Sequence, residues 1–455
     1  MTDETTFQEL VDFIREAMPR WHVPGVAVGV HFQGCQWTAG LGVTSVDFPL
    51  PVNADTLFQI GSITKTVTAT AAMRLVEKEQ LSLDAPVRSL LPELDLADED
   101  AAAQVTLRHL LTHTGGWAGD YFDDSGRGDD ALARILPRLK RLEQLTPVGE
   151  VWAYNNAGFY IAGRMIELAA GKVYEEAARE LVLDPLGMRA CTYFPEDVMT
   201  RSFVVGHQLA GDQPRVAAPW APARSCSPVG GLIATVGDLL AYARFHMGNG
   251  NGLLRPETLR QMQSRLVKAD GARWVGLSWY ITPYQTPAGE VEVIGHGGAT
   301  NGQEALFRMV PQRDFAIAIL TNSDGGDPLN TESLAFALDH FLGLRAKKAQ
   351  PVEMPAGRVN EYLGSYDAQE ATIVLYMQGK DLMARAVKKG GFPTPDSPPP
   401  PQPDPTRLVF LSPDHMRALD GLFTDKEMEV IRAKDGGIIW LRSSGRLFRR
   451  LPANA

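Results

Sequence analysis

The chain has 455 residues, 44% of them apolar, with a formal charge of −10 and an isoelectric point near 5.5. That length supports a large core plus a smaller second unit, and the acidic balance gives no general attraction for nucleic acid or an anionic membrane surface. No apolar run approaches the length of a transmembrane helix, so neither nucleic acid nor membrane is expected as a partner. Met1-Thr-Asp-Glu-Thr-Thr6 is acidic and lacks a basic leader, which reads as a cytoplasmic protein. Cys35, Cys191 and Cys226 are widely spaced and odd in number, which suggests neither a disulfide framework nor a metal site.

Phe7, Leu10, Val11, Ile14, Ala17 and Met18 recur at helical spacing, so the chain opens on an amphipathic helix. Pro24-Gly25 breaks it, and Val26–Phe32 reads as a strand with a turn at Gln33-Gly34. A second helix is expected from Ile63 to Glu79, and further helical patterns surround Leu107–Leu111, Ala131–Leu142, Ala157–Ala169 and Val236–His246. Short strands return at Glu290–Ile294, Ala305–Val310 and Phe315–Leu320. Strands at both ends with helices between predict an α+β fold: one antiparallel sheet flanked by helices, beside an all-helical region. Composition shifts near Ala346, and residues 347–355 read as a linker between a first unit, 1–346, and a second, 356–455. The second unit carries six candidate strands at 372–377, 382–387, 408–411, 428–432, 438–441 and 447–451, the pattern of a small antiparallel barrel. Pro393–Pro405 interrupts them with a polyproline-like surface loop.

Ser62-Ile-Thr-Lys65 is the one S-x-x-K in the chain. Three residues is close to a helical turn, so the lysine amine can reach the serine hydroxyl. A lysine held away from water gives up its charge, and the neutral amine can take the serine proton. Serine at a helix start also keeps a free backbone N–H that can stabilise a negative oxygen. Tyr154-Asn155-Asn156 is the one Y-x-N; the phenol can handle a proton and Asn156 offers a donor and an acceptor, although a packed tyrosine before an asparagine cap fits the same residues. His296-Gly297-Gly298 follows a strand, where paired glycines admit a close neighbour. Two other H-x-G triplets, at His113 and His246, sit at helix ends and read as ordinary C-caps.

In this order, Ser62-x-x-Lys65, Tyr154-x-Asn156 and His296-Gly297-Gly298 resemble the serine β-lactamase and penicillin-binding-protein superfamily, nearest its branch of class C β-lactamases, D-aminopeptidases and esterases. The segments Leu110–Gly116, Pro185–Met188, Val229–Leu232 with Asp238, and Leu320–Ser323 share in the likeness, which covers about three quarters of the chain. The resemblance implies Ser62 as the acylated nucleophile, Lys65 and Tyr154 as the proton-handling pair, and Asn156 as a substrate-positioning group. It also implies an oxyanion hole at the Ser62 and Ala299 N–H groups, with Gly298 and His296 beside it, and no metal or cofactor. Tyr362-Leu-Gly-Ser-Tyr366 and the strands after it resemble the lipocalin-like barrel appended to several family members.

One departure bears on substrate. Class C β-lactamases usually carry Lys-Thr-Gly where this chain has His296-Gly297-Gly298, and a mostly neutral imidazole recognises a β-lactam carboxylate less well than an ammonium. The expectation is a serine hydrolase acting on small esters, or on amides of D-amino acids and short peptides. A β-lactamase or DD-carboxypeptidase is the alternative, and a weakly catalytic penicillin-binding or scaffolding homologue is the reading from another class. A homo-oligomer is compatible with all three. The loop Trp117–Asp124 with Asp129-Asp130 is either a solvated surface loop or a border of the cleft that favours amine-bearing substrates.

Overall fold

The computed structural model describes residues 2–220, 222–287, 289–347, 349–390, 397 and 402–452. Residues 393–396 and 398–401 of the expected polyproline loop lie outside that set. The opening helix, Asp3–Ala17, starts where the Thr2 hydroxyl accepts from the Thr5 N–H, and it buries Phe7, Leu10, Val11 and Ile14. It packs with the helix Gly326–Leu342, Phe13 stacking on Phe336 with centroids 4.8 Å apart. Both helices cover one face of an eight-stranded sheet.

That sheet is assembled from both ends of the chain, as expected. Gly25–Phe32 and Cys35–Gly42 form a hairpin, and Gly25–Phe32 pairs antiparallel with Phe315–Thr321, in register from Val26 opposite Thr321 to Phe32 opposite Phe315. Gln303–Val310, Gly289–Thr300 and Tyr280–Thr286 follow outward, with two short strands at the far edge. Gly25–Phe32 is buried along its whole length, which is why it reads as an unbroken apolar run rather than an alternating one.

The helix expected from Ile63 to Glu79 divides into a 3-10 turn at Gly61–Ile63 and an α-helix at Thr64–Glu77. Four threonines, Thr64, Thr66, Thr68 and Thr70, lie buried in its first half, a poor composition for a helix. Their hydroxyls resolve the conflict: Thr66, Thr68 and Thr70 donate back to the carbonyls of Ile63, Thr64 and Thr66. Polar side chains can therefore fill the centre of the molecule without orphaned hydroxyls, and Lys65 enters the core among them.

The C-terminal strands close into an eight-stranded barrel, sealed where Tyr366 pairs with Arg450. Six of its strands stand where the alternation of the sequence placed them. The other two, Gly364–Asp367 and His415–Ala418, are four residues each, too short to alternate visibly. The segment expected as a linker is tied to the barrel: Val352 bridges to Phe410, and the Ala349 carbonyl accepts from Arg417.

Candidate active site

Lys65 is fully buried, and its Nζ lies 2.9 Å from Ser62 Oγ and 2.6 Å from the Val229 carbonyl. The rings of Tyr154 and Phe159 lie 5.2 and 5.5 Å from the same nitrogen. No carboxylate forms a salt bridge with it among the described residues. Burial first, and then the nearby Arg446 charge, push its pKa well below that of an ordinary lysine.

The sheet meets the serine turn at the strand Gly289–Thr300. A Cβ on Gly298 would fall 1.9 Å from the Ile60 carbonyl oxygen, and one on Gly61 would fall 2.6 Å from the Ala299 nitrogen. Only glycine permits that approach, which sets the Ala299 backbone beside Ser62. Both residues line a cavity of about 240 Å³ with Phe122, Asn156, Val229 and Arg446. On the same strand His296 is buried, and its Nδ1 must donate to the Gly297 carbonyl, leaving Nε2 with a lone pair and no partner. Burial pulls its pKa down to about 3, so the ring is neutral at ordinary pH.

Tyr154, Asn155 and Asn156 divide their work. Asn155, not Asn156, caps the helix Ala157–Ala170: its Oδ1 accepts from the Gly158 N–H at 2.8 Å. Asn156 is thereby released to face the cleft, where its Nδ2 donates to Asp120 and its Oδ1 is unpartnered. The Tyr154 hydroxyl is buried, and burial drives its pKa far above the usual phenol value, against an opposing pull from Ser62.

Three further residues, His113, Asp120 and Arg446, complete the arrangement, none of which the sequence placed in the catalytic set. His113 ends the helix Leu107–Leu111 in a left-handed conformation (φ 58°), so the expected C-cap role holds, but the residue does more. Its ring stacks on Tyr154 with centroids 4.4 Å apart. Its carbonyl accepts from the Ala153 N–H, and its Nδ1 accepts from the Asn155 N–H, each at 3.0 Å. The tyrosine is thus clamped from both flanks. The two readings of the Trp117–Asp124 loop divide it: Trp117 and Asp120 are folded inward, whereas Asp124, Asp129 and Asp130 are exposed to solvent.

Arg446 comes from the barrel. Its Nε lies 2.7 Å from Asp120 Oδ2, its Nη2 lies 3.2 Å from Oδ1, and its guanidinium carbon lies 4.6 Å from the Tyr154 ring centroid. One residue earlier, the Gly445 carbonyl accepts from the Tyr154 N–H at 2.7 Å. Gly445 has φ 80°, and a Cβ there would fall 2.7 Å from the Trp152 ring. Burial raises the Asp120 pKa, but the charge of Arg446 and hydrogen bonds from Arg446 and Asn156 outweigh it and hold the carboxyl below the ordinary range. No local signal marks Arg446 in the sequence; it lies about 380 residues from Ser62 and reaches the site by docking alone.

A serine and a buried lysine one turn apart stand opposite a strand whose backbone nears the serine, on a sheet flanked by helices. The family described as Beta-lactamase matches residues 10–340, and the chain belongs to that family of serine hydrolases. Penicillin-binding protein 4 of Amycolatopsis lactamdurans is 31% identical over 384 residues, covering 81% of this chain and 98% of that one. Esterase EstB of Burkholderia gladioli is 32% identical over 265 residues, covering 50% of this chain and 66% of its own. Among solved structures, that of SurE superposes with a TM-score of 0.76 at 24% identity, covering 99% of this chain and 100% of that one. Among the described residues no helix is long and apolar enough to cross a membrane.

Proposed function

We propose that the chain hydrolyses small esters, or amides of D-amino acids and short peptides, through an acyl-enzyme on Ser62. The observation that carries this reading is the buried Lys65 amine 2.9 Å from Ser62 Oγ, with its pKa lowered. In the proposed reaction Ser62 Oγ attacks the substrate carbonyl carbon as its proton passes to Lys65 Nζ. The oxygen gains negative charge between the N–H groups of Ser62 and Ala299. The bond to the leaving group breaks as the proton from Lys65 reaches it through the Tyr154 hydroxyl. Tyr154 serves as a neutral donor here, because a phenol whose pKa burial has raised does not act as a standing base. Water then repeats the attack on the acyl carbon and frees Ser62. Asn156, which lines the Ser62 cavity, meets the substrate there.

His296 weighs against a β-lactam as preferred substrate. A neutral imidazole offers a carboxylate no positive charge where an ammonium would bind it. The three free thiols support a reducing, cytoplasmic setting. Ser62→Ala should abolish turnover of a short-chain nitrophenyl ester and labelling by a fluorophosphonate, with intact-protein mass spectrometry as the readout; undiminished turnover would sink the assignment. Nitrocefin hydrolysis faster than ester hydrolysis would move it to the β-lactamase reading.

A further inference from the structure

A second cavity of about 650 Å³ lies between the barrel and the helical region. Its walls include Tyr154 and Asp120, and Arg446 lines both this cavity and the one that holds Ser62. Arg446 is therefore the partition between them. The Ser62 cavity alone, at about 240 Å³, falls below the ~300–1,000 Å³ of typical small-molecule sites. The larger cavity supplies the missing volume directly behind the reacting groups.

Its chemistry is selective. Trp117, Leu145, Ala153, Trp440 and Leu447 make part of the lining apolar. The charges around it are mostly matched in pairs: Asp367 with Lys389, Asp123 with Arg138, Glu143 with Arg449, and Asp120 with Arg446. Arg141 and Glu370, which also line it, form no salt bridge among the described residues. Glu370 lies in the barrel turn between Gly364–Asp367 and Ala371–Gln378. Facing it are Asp120 and Arg446, with a weaker pull from Lys388, and Arg446 already gives its Nε–Nη2 edge to Asp120 and its Nη1 to the Ser444 carbonyl. Glu370 is thus left without a hydrogen-bonded cation of its own, beside a guanidinium already committed to Asp120.

We propose that this interdomain cavity is a second substrate subsite, in which an ammonium-bearing segment of the substrate pairs with the Glu370 carboxylate. The proposal rests on the hydrolase reading above and narrows it to amine-bearing acyl chains that run from Ser62 past Arg446 into the larger cavity. An ammonium there gives Glu370 a paired cation and holds it ionised. Without it, burial and the neighbouring Asp120 charge push the Glu370 carboxyl up to about 7, a cost that the ligand relieves.

The test compares two series of nitrophenyl esters of increasing length on the full chain: ω-aminoacyl esters and the alkanoyl esters of matching length. One charged hydrogen-bonded pair corresponds to a preference of about tenfold or more in kcat/KM. The aminoacyl ester should be preferred by that factor at one or two chain lengths and not at the shortest. The preference should shrink as salt is raised, and Glu370→Gln should bring the ratio of the two esters toward one. No preference at any length, or a preference that Glu370→Gln leaves intact, overturns the proposal. If the variant does not fold, the length profile and salt dependence of the unaltered chain decide alone. Turnover of both series by Ser62→Ala would instead show that the hydrolase reading itself is at fault.

Discussion

The two ends of the site teach different lessons. On the catalytic sheet and its central helix, Ser62 and Lys65 lie one turn apart, and Tyr154 and Asn156 lie on one loop, so their proximity is local. The barrel reaches Tyr154 and Asp120 through the turn at residues 443–446, across its interface with the helical region. One region holds the chemistry, while the other sets the shape and charge in which that chemistry operates. The catalytic sheet would keep its S-x-x-K geometry in many contexts. Arg446 has meaning only when the barrel is docked.

The largest effect expected is on the sheet side. Lys65→Met should lower kcat by on the order of 10³-fold or more, the scale on which a general base contributes. In the unaltered chain, activity should rise with pH through a group titrating well below an ordinary lysine. A rise appearing only in the ordinary lysine range would remove Lys65 as the proton acceptor.

On the barrel side, Arg446→Ala strands Asp120 as a buried charge. It should cost about 3 kcal/mol in denaturant unfolding and lower kcat/KM as the Asn156 amide loses its anchored partner. Removing both charges in Asp120→Ala with Arg446→Ala should restore part of the stability. A double variant less stable than Arg446→Ala alone would contradict the coupling, because the penalty comes from the unpaired carboxylate.

His113 separates the contributions of stacking and clamping. His113→Asn tolerates the left-handed backbone and keeps an acceptor for the Asn155 N–H, while His113→Phe keeps the ring and loses the acceptor. Each should reduce kcat by about tenfold with KM little changed, since the group displaced, Tyr154, is the one proposed to pass the proton. A change confined to KM would show that His113 shapes the pocket instead.

The smallest effect is on acid stability. Burial holds His246 and His296 neutral down to about pH 3, whereas the unfolded imidazoles protonate near 6.5. The unfolded state therefore binds more protons between those values, and stability should fall as pH drops from about 6.5 toward 3. His246→Gln should flatten that slope in thermal melts without touching the cleft. An unchanged slope would exclude His246 as a source.

The sequence alone determined the outline: a sheet assembled from both ends, the helix carrying Lys65, six of eight barrel strands, and the order Ser62, Lys65, Tyr154, Asn156, His296. Each depends on period, spacing or a short motif, which are properties of neighbouring residues. The fine division of labour on the tyrosine loop was not legible, because Asn155 and Asn156 are the same residue type and only the helix direction decides which one caps. His113 was visible as a helix end but not as the clamp on Tyr154, which depends on where residues 153–155 return. Tertiary structure alone decided the Asp120–Arg446 ion pair and the place of Glu370 beside it. That pair joins residues 326 positions apart, and it exists only after the two regions have packed and excluded water between them.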